Sequence, residues 1–293
     1  MTKIVLFHRD DDGYAAGSVA YKIFGDNAQY IGVQYGEEIP DSLNNVTKED
    51  EVYIFDFSYK REICEEINNR CSKLIILDHH ASAEQELVGL EYAVFDMNHS
   101  GNVLAWNFFY PGLEPTRFHK LTEDRDLWKF NFGDDSRALS LGITLTDISI
   151  KDTKKYLAFL NTLNEESILN YYVNAGHLLL RKQKAEVEKA KHARSGYKIV
   201  KFKDIDFIFY NTSNIINELA EAYYNDEKIN ICYTMSYFVL SDKIVFNLRS
   251  HKKTNISMYG IAVSMGGGGH RTAAGFTLPI VEGLDLVKQL LTQ

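Results

Sequence analysis

Val52–His80 reads VYIFDFSYKREICEEINNRCSKLIILDHH. Its outer segments, Val52–Phe57 (VYIFDF) and Leu74–Leu77 (LIIL), are short and apolar, as strands buried on both faces are. Between them, Lys60–Arg70 (KREICEEINNR) reads as an amphipathic helix. Strand, helix, strand predicts two parallel strands joined by a crossover helix. Working outward, Lys3–Phe7 (KIVLF) and Ala28–Val33 read as two more strands, with Gly13–Phe24 helical between them. The predicted class is α/β, with a doubly wound parallel sheet in the first part of the chain. Such sheets bind ligands beyond the carboxyl ends of their strands.

The chain has 293 residues, enough for about two domains. From Gly101 the pattern turns helical, and one long helix is expected over residues 165–194. After Ser195 the chain reads as two strands (Tyr197–Phe202, Phe207–Tyr210), a helix (Ile215–Tyr224) and a hairpin-like pair (Ile231–Leu240, Ile244–Leu248). A short helix (Ile256–Met265), a glycine run, a strand (Ala274–Leu278) and a last helix follow. The expected organisation is a catalytic domain over 1–164, a helical connector over 165–194 and a smaller α/β domain over 195–293.

Composition is that of a soluble protein, with 45% hydrophobic and 25% charged residues. Three cysteines give no disulfide framework and no metal-ligand spacing, so a reducing, cytoplasmic setting is expected. No apolar run is long enough to span a membrane, and three early aspartates exclude a signal-peptide core. The net charge is −8, unevenly spread: residues 1–193 carry −10 and residues 194–293 carry +2. An acidic protein is a poor match for a long phosphate backbone, but bound cations can invert the local field.

The expected strand ends carry the chemistry. The first runs into His8-Arg9-Asp10-Asp11-Asp12-Gly13, where alternate residues of an extended segment share one side. The Val52–Phe57 strand puts Asp56 in an apolar run, costly if buried without a partner. Asp78-His79-His80 follows LIIL, and Glu123-Asp124-Arg125-Asp126 adds two aspartates. Each cluster alone also reads as a solvated or capping group. Three parallel-strand ends delivering Asp and His to one sheet edge read as a site. Oxygen and imidazole donors suit Mn²⁺, Mg²⁺ or Zn²⁺. Two such ions, about 3.5–4 Å apart, activate water for displacement at phosphorus. In the second part, Asn247-Leu248-Arg249-Ser250 ends a strand and Gly266–Gly269 precedes His270-Arg271. Glycines present backbone N–H groups to an anion, and arginine suits phosphate.

Taken as a set, HRDDDG, FDFS, DHH, EDRDLW, NLRS and GGGGHRTAAGF resemble the DHH phosphoesterase superfamily over nearly the whole chain, and its oligoribonuclease or nanoRNase-like branch most. The resemblance implies two divalent ions, Mn²⁺ first, with Mg²⁺ or Co²⁺ as alternatives. It implies His8, Asp10, Asp12, Asp56 and His79 as ligands, with Asp56 the bridge. One residue separates His8 from Asp10 where several relatives have three. Asp124 is the preferred last ligand because it stands four residues before Trp128, as its counterpart does before Phe in nanoRNase-like relatives; Asp126 is the alternative. Catalytic roles fall to Asp56, His79, His80 and Asp78, with Asp78 orienting an imidazole and His80 contacting the scissile phosphate. Arg249, Ser250, Gly267, Gly268, Gly269, His270 and Arg271 would hold substrate, joined by His99 and Ser100.

The implied activity is exonucleolytic hydrolysis of short single-stranded oligonucleotides to mononucleotides, by a cytoplasmic enzyme with no membrane partner and with a homodimer left open. Cyclic dinucleotides, 3′-phosphoadenosine 5′-phosphate, and single-stranded DNA cut in the RecJ manner are the alternative substrates. A nucleotide-binding regulator on a dead scaffold is the non-enzyme alternative, disfavoured because none of the four acidic clusters is missing.

Overall fold

Five strands build the first sheet: β1 (Lys3–His8), β2 (Ala28–Val33), β3 (Glu51–Phe55), β4 (Lys73–Asp78) and β5 (Ala93–Phe95). Their order is β2-β1-β3-β4-β5 and every pair is parallel. The chain steps from β1 out to β2, then returns to the other side of β1 to add β3, β4 and β5. That reversal creates a switch point between β1 and β3, where a crevice opens beyond the strand ends.

The computed structural model describes residues 2–193 and 196–293, and the chain divides into two units, Met1–Leu180 and Arg181–Gln293. The first unit carries α1 (Asp11–Phe24), α2 (Asp41–Asn44), α3 (Arg61–Arg70), α4 (Ala81–Glu86), α5 (Gly101–Phe109), α6 (Arg117–Asp126), α7 (Asp135–Ile143) and α8 (Thr153–Thr162). Both faces of the central strands β1, β3 and β4 are covered, so their middles are apolar. Val5, Phe7, Tyr53 and Phe55 pack with residues of α1, α5, α6, α7 and α8. Ile4, Leu6, Val52, Ile54, Leu74 and Ile76 pack with Cys64 and Ile67 of α3 on the other face. Each such side chain contributes roughly 1.5–3 kcal/mol by leaving water.

The unit boundary falls inside α9 (Glu166–Lys191). The expected connector's last residue, Arg194, and the expected domain's first, Ser195, lie outside the described residues. The second unit holds β6 (Lys198–Phe202), β7 (Ile205–Asn211), β8 (Tyr233–Val239), β9 (Lys243–Ser250), β10 (Gly268–Gly269) and β11 (Ala273–Pro279), in the order β10-β11-β9-β8-β7-β6. All pairs are antiparallel except β7 with β8, which α10 (Ile216–Tyr224) connects. Two more helices, α11 (Met258–Val263) and α12 (Ile280–Leu291), pack beside β9 and β11. Among the described residues no helix is long and apolar enough to cross a membrane.

One local difference from the sequence reading matters for the site. Only His8–Asp10 is extended. Asp10 is the N-cap of α1, and its carboxylate accepts from Gly13 N at 2.9 Å. An aspartate cap with two more acids in the first turn suits the positive end of the helix. The helix therefore starts at Asp11, earlier than Gly13, and Asp12 reaches inward from its first turn rather than from an extended segment.

Candidate metal centre

Asp56 lies just past β3 at the switch point and is 1% exposed. Its backbone is left-handed, with φ 55°, an uncommon conformation for any residue but glycine. Gly101 explains how it fits: a Cβ there would stand 2.3 Å from the Asp56 Cβ, so only glycine lets α5 begin against this carboxylate. Strained backbone of this kind collects at functional sites.

The two Asp56 oxygens look in different directions. Oδ2 is 3.8 Å from His8 Nδ1, which is itself 2.7 Å from Asp10 Oδ2. Oδ1 is 3.0 Å from His79 Nε2, which is 3.5 Å from Asp126 Oδ2. Potential ligand atoms gather within 4.8 Å of one another in three overlapping trios: His8, Asp10 and Asp56; Asp12, His79 and Asp126; and Asp56, His79 and His80. Two clusters thus meet at one shared carboxylate.

The electrostatics of this assembly call for positive charge. Burial first, then the charges of Asp10, Asp12, Asp126 and Asp78, pushes the Asp56 carboxyl well above the usual carboxylate range. Desolvation, then Asp12 and Asp10, does the same to Asp126. Burial raises Asp12 to about 6 against the bonds it receives from Asn102 and Ser100. Burial and then His80 press His79 down to about 4, which keeps its ring neutral. Crowded carboxylates beside neutral imidazoles are the complement of divalent cations. His8 Nδ1 adds a second sign of fit: it is buried, yet makes no directional hydrogen bond even to Asp10. The residues present fit a pair of oxygen- and nitrogen-ligated cations.

Supporting groups hold these side chains. Asp78, fully buried, receives the backbone N–H of His79 (2.7 Å), that of His80 (3.2 Å) and Ser58 Oγ (2.6 Å). It also pairs with His80 Nδ1 at 2.6 Å. Burial raises its pKa, but His80 and these bonds outweigh that and hold the carboxyl below its ordinary range. His80 is thereby fixed with Nδ1–H on Asp78.

Asn102 is a residue the sequence reading missed. Its backbone N–H and its Nδ2 donate to the two Asp12 oxygens, at 3.2 and 2.5 Å, while its Oδ1 faces the buried His119 Nδ1 at 3.0 Å. The signal was present: an amide inside the apolar run NVLAW needs a buried partner. Asn102→Leu is expected to slow turnover by roughly 10-fold and to destabilise the fold by about 1–3 kcal/mol, because Asp12 and His119 both lose a partner. A melting curve and a rate measured on the same sample would check it.

Three expected residues are placed as follows. Asp124 is not among the converging ligand atoms. Its carboxylate accepts from Asn131 N (2.7 Å), Phe132 N (3.4 Å) and Ser136 Oγ, tying down the turn after α6, and Asp126 takes its place at the cluster. Ser100, expected to meet substrate, is fully buried and accepts from Asn102 Nδ2 at 2.8 Å beneath Asp12. His99 stays partly exposed, 3.1 Å from Glu123, whose carboxylate also takes Ser100 N.

In the second unit, Arg249 reaches from β9 to Asn217 Oδ1 on α10 (2.6 Å) and to the carbonyls of Leu248 (2.9 Å) and Ala274 (3.4 Å). The turn before α10 holds Ile215 at φ 51°, a costly position for a β-branched residue. Ser250, the next residue, is buried, since neighbours along a strand point to opposite faces. Gly266–Gly269 are not an open row of donors. Gly266 N bonds Val263 O (3.0 Å), Gly267 N bonds Ala262 O (2.8 Å) and His270 N bonds Ala273 O (2.7 Å). A Cβ on Gly267 would lie 2.0 Å from Gly275 O, so close packing on β11 requires that glycine. Around Gly268 there is open space, and Arg271 bonds the Thr254 carbonyl.

No family model matches the chain. An uncharacterized protein of Acanthamoeba polyphaga mimivirus is 26% identical over 298 residues, covering 96% of this chain and 68% of that protein. The pGpG-specific phosphodiesterase PggH from Vibrio cholerae is similar in structure, with a TM-score of 0.55 at 16% identity, over 100% of this chain and 98% of that one. RecJ from Thermus thermophilus, solved with Mn²⁺, gives 0.55 at 15% identity, over 99% of this chain and 51% of RecJ. The chain therefore has the α/β fold found in PggH and in half of RecJ, the fold that its resemblance to DHH phosphoesterases implies.

Proposed function

We propose that this protein is a two-metal, Mn²⁺-dependent phosphodiesterase that degrades short oligonucleotides to mononucleotides. The observation that carries this reading is Asp56, whose two oxygens face two separate ligand trios at the switch point of the sheet. Divalent ions held there would supply an acidic water as nucleophile and positive charge for an in-line displacement at phosphorus. The protein's own groups do the rest. Asp78 holds the Nδ1–H of His80, which turns Nε2 toward the substrate. From there, in the doubly protonated form of the ring, it would donate to a phosphate oxygen as charge develops on it. In the second unit, Arg249 offers a guanidinium that suits a phosphate.

Short substrates fit the charge. Residues 1–193 carry −10, which opposes a long phosphate backbone. The fold is shared with a pGpG-specific enzyme, and pGpG is a strand of two nucleotides. A 5′-labelled RNA series, from a dinucleotide to about two dozen nucleotides, incubated with Mn²⁺ and resolved by length, tests the proposal. Rapid loss of the two- to four-mers with sluggish cleavage of the longest strand is expected. Equal or faster cleavage of the longest strand would mark a RecJ-like nuclease instead.

A further inference from the structure

The loop after β2 meets the metal centre with two side chains: the Tyr35 ring lies 5.6 Å from that of His8 and 6.0 Å from that of His80, and Gln34 makes the hydrogen bond. The Gln34 Oε1 lies 2.5 Å from His8 Nε2 and 3.3 Å from Tyr35 N. The second contact settles which end of the amide is which. A backbone N–H only donates, so the atom it faces is the carbonyl oxygen and not the NH₂. That oxygen can only accept, so His8 Nε2 carries the hydrogen. In a neutral ring the lone pair then sits on Nδ1. Nδ1 is the atom 2.7 Å from Asp10 Oδ2 and 3.8 Å from Asp56 Oδ2, and a hydrogen placed on it would not point at either.

We propose that Gln34 is a positioning residue whose amide oxygen holds His8 in the tautomer that offers Nδ1 to a cation shared with Asp10 and Asp56. The inference rests on the two-cation reading of the centre. Histidine ligands commonly give their other N–H to such an acceptor, which fixes the ring and raises its basicity.

The loop is built to hold that oxygen still. Arg9 forks onto Glu37 with bonds of 3.0 and 2.7 Å and also reaches Gly32 O at 2.9 Å. Glu37 Oε2 in turn receives Gln34 N at 3.2 Å. Tyr35 packs on Phe57 with ring centroids 4.5 Å apart. Arg9, in the middle of HRDDD, thus serves the loop and not the ligand cluster.

Titration of cation-free protein with Mn²⁺, following the electron paramagnetic resonance of the free ion, counts and ranks the bound ions without any assay of turnover. Gln34 is exposed, so its variants fold. Wild type is expected to bind two ions. Gln34→Leu weakens one of them by roughly 10–100-fold and spares the other. Gln34→Glu keeps an acceptor and restores binding. In a His8→Ala background, Gln34→Leu adds no further loss, because its effect runs through His8. Unchanged binding in Gln34→Leu, no rescue by Gln34→Glu, or an added loss without His8, overturns the inference and leaves the metal centre standing. Wild-type protein that binds no Mn²⁺ overturns both.

Discussion

Asp56→Asn is expected to lower turnover by at least ~10³-fold while raising the melting temperature of the cation-free protein. The two effects share one cause. Asp56 belongs to two of the three ligand trios and meets His79 of the third, so an amide there weakens both cations at once. In the cation-free protein the same carboxylate is buried among Asp10, Asp12, Asp126 and Asp78, which repel its charge. Asparagine keeps the shape, removes the charge and tolerates the left-handed backbone that position 56 adopts. A gain of about 1 kcal/mol would raise the melting temperature by roughly 2–4 °C. The sign with pH follows. A carboxyl whose pKa is raised by folding destabilises the native state only above the ordinary carboxylate range. The stabilisation by asparagine is therefore present at neutral pH and vanishes in acid, where Asp56 is protonated in both folded and unfolded chains. Adding Mn²⁺ should reverse the order: wild type gains stability and Asp56→Asn gains little. Melting curves with and without Mn²⁺, alongside rates, measure all of this. Full turnover in Asp56→Asn would end the shared-carboxylate reading.

The strand-end residues were legible because buried parallel strands announce themselves as apolar runs, and a charged residue at their ends has few reasons to be there. His8, Asp56, Asp78 and His79 could be placed on one edge without coordinates. The choice between Asp124 and Asp126 could not. Two positions apart on a helix, they face nearly opposite ways, and what decides between them is the turn that follows α6. That turn holds Trp128 and Phe130 at positive φ and folds its N–H groups back onto Asp124. Nothing in the residue types announces left-handed aromatics. Gln34 was invisible for a similar reason: its loop has no periodicity, and its meaning lies in two contacts to one oxygen. The glycine run carries two readings at once. Glycines free a backbone to meet an anion or another strand with equal ease, and here the residue entering β10, Gly267, lies against β11.

Arg249→Ala is expected to raise KM for short oligonucleotides by roughly 10–100-fold, with kcat little changed, the loss of about 1.5–3 kcal/mol that charged hydrogen bonds supply. The reason lies in how this side chain is held. Its bonds run to an amide oxygen and two backbone carbonyls. Neutral acceptors fix a guanidinium in place without neutralising it, so its charge is left for an anion. Burial works against that charge and presses the pKa of Arg249 down, a cost that a bound phosphate offsets. Asn217 receives Nε at 2.6 Å, which orients the fork, and the strained Ile215 sets the start of the helix that carries Asn217. Lysine has no fork and cannot bond Asn217 and a phosphate in the same geometry, so Arg249→Lys should recover little of the lost affinity. Asn217→Ala, which frees the guanidinium without deleting it, should fall between wild type and Arg249→Ala. Steady-state kinetics on a two- to four-nucleotide RNA resolve the ranking. A fall in kcat at constant KM would instead place Arg249 in the chemical step, and no change in either would remove β9 from substrate recognition.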